Sequence, residues 1–367
     1  MNKLIFANLL HRPVRSLISV LAVTIEVMMI LSIVGVFMGI LNDSKARTNG
    51  VGADLMMRPS NASIMNGVGG APMSAKIADV IRRLPHVDAA SPVNQYMSTA
   101  GAVEVVAGID FASYNALKPF VFLAGGPFQG PDDMIVDDVF ARSGGGHHVG
   151  ESITFLNHPF RICGIVESGK GARKLIPLST MGELTGAEGK ATLIYIKSDN
   201  LANQQAIIQE IHAVRGLENY PVQTMEEWLS MMTPEKLPGF NLALRVVTGI
   251  AVIVGFLVIF QSMYTAVLER TREIGILKSM GASKFAIMGV VLRETAVVAI
   301  AGVLLGIAGT FGVRVLLYHL FPTQHFEITM DWVARGAGIA FSGSLLGAVY
   351  PAWLAARKDP IEALAYE

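Results

Sequence analysis

Four stretches of this chain are almost free of charge and long enough to cross a lipid bilayer, and they restrict its fold more than any other feature. They run through Ser16–Leu41, Val246–Val267, Thr295–Val313 and Gly336–Leu354. A helix needs about 20 apolar residues to span roughly 30 Å of hydrocarbon. A buried helix of a large soluble protein is the competing reading, but such helices are usually shorter and more often interrupted by polar side chains. Composition favours the membrane: 52% of residues are hydrophobic, 16% are charged, and mean hydropathy is +0.48. Lys3, Arg12 and Arg15 precede the first run as they would in a secretory leader. That run exceeds the roughly 7–15 residues of a leader's apolar core and no A-x-A site follows, so it reads as a retained anchor.

Basic residues beside the spans set the expected orientation. Lys3, Arg12 and Arg15 precede span one, Arg270, Arg272, Lys278 and Lys284 separate spans two and three, and Arg357 and Lys358 follow span four. The link between spans three and four carries only Arg314 and Arg335 at its edges. Both termini are therefore expected in the cytoplasm, with the long segment between spans one and two outside. That segment has domain size. ADLMMRP, VEVVAGI, MIVDD, SITFL, FRICGIV and TLIYIKS read as short strands. SAKIADVIRRL, with Ser74 as its N-cap, and NLANQQAIIQEIHAV read as helices. The expected class is an α-helical membrane protein with four transmembrane helices and an α+β extracytoplasmic domain inserted between helices 1 and 2. Its divisions are residues 1–41, 42–240 and 241–367, with a charged inner segment at 268–284.

Cys163, the one cysteine, has no partner for an internal disulfide, and a formal net charge of +0 gives no reason to expect nucleic acid as a partner. GAEGKAT around Lys190 lacks both the early glycine and the following hydroxyl of a phosphate-binding loop, so no ATP hydrolysis is expected of this chain. His147 and His148 lie in a glycine-rich turn with no further ligand at metal-binding spacing. Met28-Met29 and Met56-Met57 read as packing rather than copper handling. No catalytic residue, resident cofactor or metal is assigned.

What remains is the segment LERTREIGILKSMGAS, Leu268–Ser283, which sets Glu269, Arg270, Arg272, Glu273 and Lys278 between two apolar runs. Continued as a helix from span two, it would gather Leu268, Ile274 and Leu277 on one side and Glu269, Arg272 and Glu273 on another. Glu269 and Arg272 would be neighbours at i, i+3. Gly281 is placed to end this helix and Ser283 to begin the next. Basic residues alone would fix topology, so the two glutamates point to docking in a protein groove.

ERTREIGILKSMGAS resembles the cytoplasmic segment of the MacB/FtsX-like permeases, the transmembrane subunits of type VII ABC transporters. NLLHRPVRSLISVLAV resembles their N-terminal amphipathic segment and first span. GADLMMRP, VAGID, FRICGIV and IPLSTMGELTG are similar to outer-domain landmarks, and YPAWLAARKDPIEALAYE to the C-terminal tail. The resemblance implies a bacterial inner-membrane subunit that works with two copies of a separate ATPase, which bind ATP and Mg. It also implies a second permease, as in a homodimer, contact with membrane lipids, and in some systems a periplasmic adaptor or carrier. Glu269, Arg270, Arg272, Glu273, Ile274, Gly275, Lys278 and Gly281 would then meet the ATPase, with Arg357, Lys358, Asp359 and Pro360 as a secondary contact. ATPase motion would rock the helices and move the outer domain, a mechanotransmission that exports or extracts a lipid, lipoprotein, peptide or amphiphilic drug. Some relatives signal to cell-wall hydrolases instead. A third reading is a passive receptor with a cytoplasmic tether.

Gly302 and Gly306, and Gly343 and Gly347, form G-x-x-x-G pairs that permit close helix approach within one protomer or between two. Glu26 lies about 16 Å beyond Arg15 at ~1.5 Å per residue, near the middle of span one. An intramembrane carboxylate there departs from the small residue usual in the family. It suits either a polar cavity or dimer interface that senses state, or a neutral acid bonded to a neighbouring helix.

Overall fold

In a computed structural model, residues 13–60, 72–98, 104–234, 236, 240–321 and 323–358 are described. Among them are four helices long and apolar enough to cross a membrane: α1 (Pro13–Asn49), α8 (Phe240–Glu269), α10 (Lys284–Leu320) and α11 (Met330–Arg357). α9 (Thr271–Ser279) lies between α8 and α10. The chain divides into two compact units, one of which comprises Ile40–Phe240 and Phe321–His325. The last turns of α1 and the first part of the α10–α11 connection, Phe321–His325, thus belong to this mixed unit, while the remaining described residues form the helical unit.

The mixed unit is built on one sheet in the order β12-β1-β11-β3-β4-β9-β6-β8-β5, with β7 added to β8. Its strands are β1 (Leu55–Met57), β3 (Val87–Ser98), β4 (Glu104–Ile109), β5 (Phe122–Gly125), β6 (Asp133–Asp137), β7 (Ser152–Phe155), β8 (His158–Val166), β9 (Lys174–Pro177), β11 (Leu193–Ser198) and β12 (Val222–Thr224). Pairing is antiparallel except for β4 with β9 and β6 with β8. β2 (Met73–Ser74) and β10 (Lys190–Ala191) form a separate two-stranded ladder.

Both faces of the sheet are covered, so adjacent residues of one strand feed different cores. Leu55 and Met57 of β1, with Ile194 and Ile196 of β11, pack against Ala78 and Ile81 of α2 (Ile77–Ile81) and Ile207 and Ile211 of α6 (Gln204–Ala213). Met56 and Tyr195 point the other way, toward Tyr114 of α3 (Phe111–Leu117) and Trp228 of α7 (Met225–Met231). The two-residue side-chain period of a strand dictates this division. A third cluster joins Phe160 and Ile162 of β8 to Phe140 of α4 (Asp138–Ala141) and Met181 of α5 (Leu178–Thr185).

One local expectation fails, and one long strand has no counterpart in the sequence reading. Ser74 is not an N-cap: it pairs with Lys190 in the small ladder, and α2 begins after Lys76 with no side-chain cap. β3, a twelve-residue strand inside the sheet, carries Pro92 and is not among the strands read from the sequence. Pairing with β4 begins only at Val93, so Pro92 faces no residue on that side, where a missing N–H costs least.

In the helical unit, Gly302 and Gly306 of α10 lie against α1. A Cβ on Gly302 would sit 2.6 Å from Cβ of Val23, and one on Gly306 would sit 2.6 Å from Cβ of Val27. Gly347 of α11 lies 2.8 Å, measured the same way, from the carbonyl oxygen of Phe256 in α8, whereas Gly343 has only Val252 Cγ1 at 3.8 Å. Three of these four glycines therefore serve close packing inside one protomer. α1 and α8 meet at Ser19 and Ser262, whose hydroxyls are 2.5 Å apart.

Candidate functional site

The charged segment forms an elbow between α8 and α10. It does not extend α8 as one helix: the backbone breaks at Arg270 (φ −107°, ψ 18°) and restarts as α9. With that break the expected Glu269–Arg272 pair gives way to longer-range partners. Glu269 accepts from Nη1 of Arg15, at the start of α1, at 2.8 Å. Arg270 turns inward, and its Nη1 donates to Oε2 of Glu294 in α10 at 2.9 Å. Their side chains are 13% and 6% exposed, so the pair is held where solvent screening is weak. Lys278 bonds through Nζ to the carbonyl oxygens of Ala356 at 3.1 Å and Lys358 at 2.5 Å, capping the end of α11.

One elbow is thereby fastened to all four long helices: it continues from α8, and its ion pairs and caps reach α1, α10 and α11. Ile274 and Gly275 are buried beneath it, Ile274 in a cluster with Val267, Ile287 and Ala355. α9 closes on Gly281, whose φ of +92° is the left-handed conformation that suits glycine at a helix end. The amide of Ala282 bonds the carbonyl of Leu277 at 3.0 Å, and Ser283 Oγ then accepts from the amide of Ala286 at 3.2 Å to open α10.

The outward face is left to other residues. Arg272 and Glu273 are exposed and make no ion pair among the described residues. Beside them, Ile276 is 43%, Met280 70% and Phe285 83% exposed. Sequence reasoning named Ile274 as the apolar contact and missed these three. The signal was present, because Arg272, Ile276 and Met280 recur at i, i+4 and i+8 once α9 is treated as its own helix. Among the tail residues, the Arg357 guanidinium lies 4.4 Å from the ring centroid of Trp353, while Asp359 and Pro360 fall outside the described residues.

Glu26 is 4% exposed and packs directly against Gly255 of α8, where any side chain would displace it. Neither carboxyl oxygen has a hydrogen-bond partner among the described residues. Among the described residues no hydrogen bond ties it to a neighbouring helix, and the group packs in the α1–α8 seam.

These features define a chain with four helices long and apolar enough to cross a membrane, an α+β unit between the first and second of them and a charged elbow between the second and third. The MacB-like periplasmic core domain matches residues 16–214 and the FtsX-like permease C-terminal domain matches residues 245–360. The chain belongs to the MacB/FtsX-like ABC transporter permeases. It is 25% identical over its whole length to the ABC transporter permease YknZ of Bacillus subtilis, covering 98% of that protein. It is 29% identical over 330 residues to the macrolide export ATP-binding/permease protein MacB of Shewanella sp. (strain W3-18-1), aligning 80% of this chain with 48% of MacB. The chain thus spans about half the length of the MacB relatives it matches. The periplasmic region of MacB from Actinobacillus actinomycetemcomitans overlaps half of the chain with a TM-score of 0.39 and 14% identity, a likeness too loose to carry weight.

Proposed function

We propose that this permease converts nucleotide-driven movement of partner ATPases into displacement of its α+β domain. The observation that carries the reading is the elbow's construction. Its inward charges fasten it to α1, α10 and α11, while Arg272, Glu273, Ile276, Met280 and Phe285 point outward with both signs of charge and apolar bulk. A force applied to that face is passed to every long helix at once. Of the residues expected at the ATPase, Glu269, Arg270, Ile274, Gly275 and Lys278 then act as its anchorage, and Arg272 and Glu273 supply the contact. Gly281 sets the direction of the chain, and Arg357 and Lys358 support α11.

ATP and Mg belong to the ATPase in this reading, with two motor copies serving a homodimer of permeases. The elbow and both termini are cytoplasmic and the α+β domain lies outside. The cargo is a lipid, lipoprotein, peptide or amphiphilic drug, exported or extracted with or without an adaptor. Regulation of cell-wall hydrolases is the alternative output of the same mechanism.

Co-purification tests the contact. R272A/E273A should abolish recovery of the ATPase with the permease, while the permease itself remains folded, because neither side chain is part of the inward network. Undiminished recovery, with an unchanged ATPase rate, would remove the elbow from the interface.

A further inference from the structure

Arg173, just before β9, touches three other parts of the chain with one guanidinium. Nη1 donates to Oδ2 of Asp137, at the end of β6, at 3.1 Å. Nη2 donates to Oδ2 of Asp43 in α1 at 2.9 Å and to the carbonyl oxygen of Thr323 at 3.1 Å, with Nδ1 of His325 at 3.4 Å. Asp43 is shared: Arg47 Nε lies 3.0 Å from it and His325 Nδ1 lies 3.4 Å from its other oxygen. The side chains of Asp43, Arg47 and Arg173 are 15%, 16% and 13% exposed and that of Asp137 is 2% exposed. Two guanidinium groups thus face two carboxylates, and burial leaves no formal excess charge apart from whatever His325 carries.

Each partner sits on a different lever. α1 is one unbroken helix from Pro13 to Asn49, and Asp43 and Arg47 occupy its last turns. Thr323 and His325 lie in the short connection strung between α10 and α11, and Asp137 and Arg173 adjoin neighbouring strands of the sheet. The covalent route from α1 to the sheet runs through Gly50, Val51 and Gly52, with Gly52 at φ +81°. A path through two glycines is a poor lever without a side-chain brace. The guanidinium supplies one because its rigid fork offers five donors, whereas a lysine presents a single mobile ammonium.

We propose that Arg173 is a mechanical rivet: it makes the end of α1, the α10–α11 connection and the β6–β9 region of the sheet move as one body. The functional consequence rests on the mechanical reading above, and the rivet itself does not.

Hydrogen exchange on the full-length permease in lipid nanodiscs tests it. R173Q should raise exchange at least tenfold in residues 44–52 and 321–328 and leave β6 and β9 protected, with R173K between the two. Wild-type protection of both segments in R173Q would overturn the rivet. If R173Q also loses sheet protection, D43N decides: loosening of residues 44–52 with an intact sheet supports the proposal, and no change defeats it. In complex with the ATPase, R173Q should keep ATP hydrolysis and lose at least tenfold of transport or hydrolase activation. Undiminished output from a loosened variant would end the rivet's mechanical role. Unaltered ATPase binding by R272A/E273A would instead end the mechanical reading while the exchange result on Arg173 stands.

Discussion

Cys163 shows how strongly a single environment can set a residue's chemistry. Burial, with a further contribution from the Asp133 carboxylate, pushes its thiol up to about 12. Its Sγ points toward the carbonyl oxygen of Met134 at 3.5 Å, consistent with a thiol kept as a weak donor. Only the thiolate is an effective nucleophile. At pH 8 the native thiol should therefore react with iodoacetamide on the order of 10³ times more slowly than an ordinary cysteine with a pKa of about 8.5. Stopped alkylation followed by mass spectrometry reads the rate, and a native rate within tenfold of the unfolded chain's would contradict the assigned environment. The same inertness makes Cys163→Ser a suitable background for introducing cysteines elsewhere. Glu26 is the opposite case, since sequence alone marks it as costly and the structure leaves that cost uncompensated by any hydrogen bond among the described residues.

At the scale of elements, the α1–α10 contact depends on absent side chains. Gly302 and Gly306 face Val23 and Val27, a constant offset that makes α1 and α10 parallel neighbours. Alanine at either position forces the helices apart, and overpacking of this kind costs about 1–3 kcal/mol. Gly312, in the same helix, has nothing within 4 Å of its Cβ position. There alanine should be neutral or stabilising by roughly 0.5–1 kcal/mol, through backbone entropy alone. Thermal unfolding in detergent should thus fall for G302A and G306A and hold or rise for G312A. Equal shifts in all three would assign the glycines to something other than this contact. The contrast also shows what was legible beforehand. The G-x-x-x-G spacing marked close approach but could not name the partner helix, which only tertiary contacts supply. The elbow's charges were legible because they interrupt apolar runs. The break at Arg270 was not, since no Gly or Pro marks it and the Arg270–Glu294 ion pair, 24 residues apart in sequence, coincides with it. β3 was hidden by Pro92 and its polar residues. α7, by contrast, carried a readable signal that was passed over: Thr224 and Glu227 form a reciprocal capping box, with both bonds at 3.1 Å.

For the whole molecule, the mechanical reading requires the elbow and the α+β domain to lie on opposite sides of the bilayer. The distribution of Lys and Arg beside the spans argues for this: Arg15, Arg270, Arg272, Lys278, Lys284, Arg357 and Lys358 gather where α1 begins, α8 ends, α10 begins and α11 ends. The ion pair from Arg15 to Glu269 and the cap from Lys278 to the end of α11 place those four helix ends together at one end of the helical unit. Cysteine labelling separates the two faces. In a Cys163→Ser background, Arg215→Cys in the α+β domain should react with a membrane-impermeant maleimide on cells whose plasma membrane is the only barrier. Ser279→Cys in the elbow, also exposed, should react only after that membrane is opened if the proposed orientation holds. Labelling of Ser279→Cys on sealed cells would put the elbow beyond reach of any ATP-driven motor. The inward fastenings would then have to be explained as stability alone, since the force that the mechanical reading passes through them would have no source.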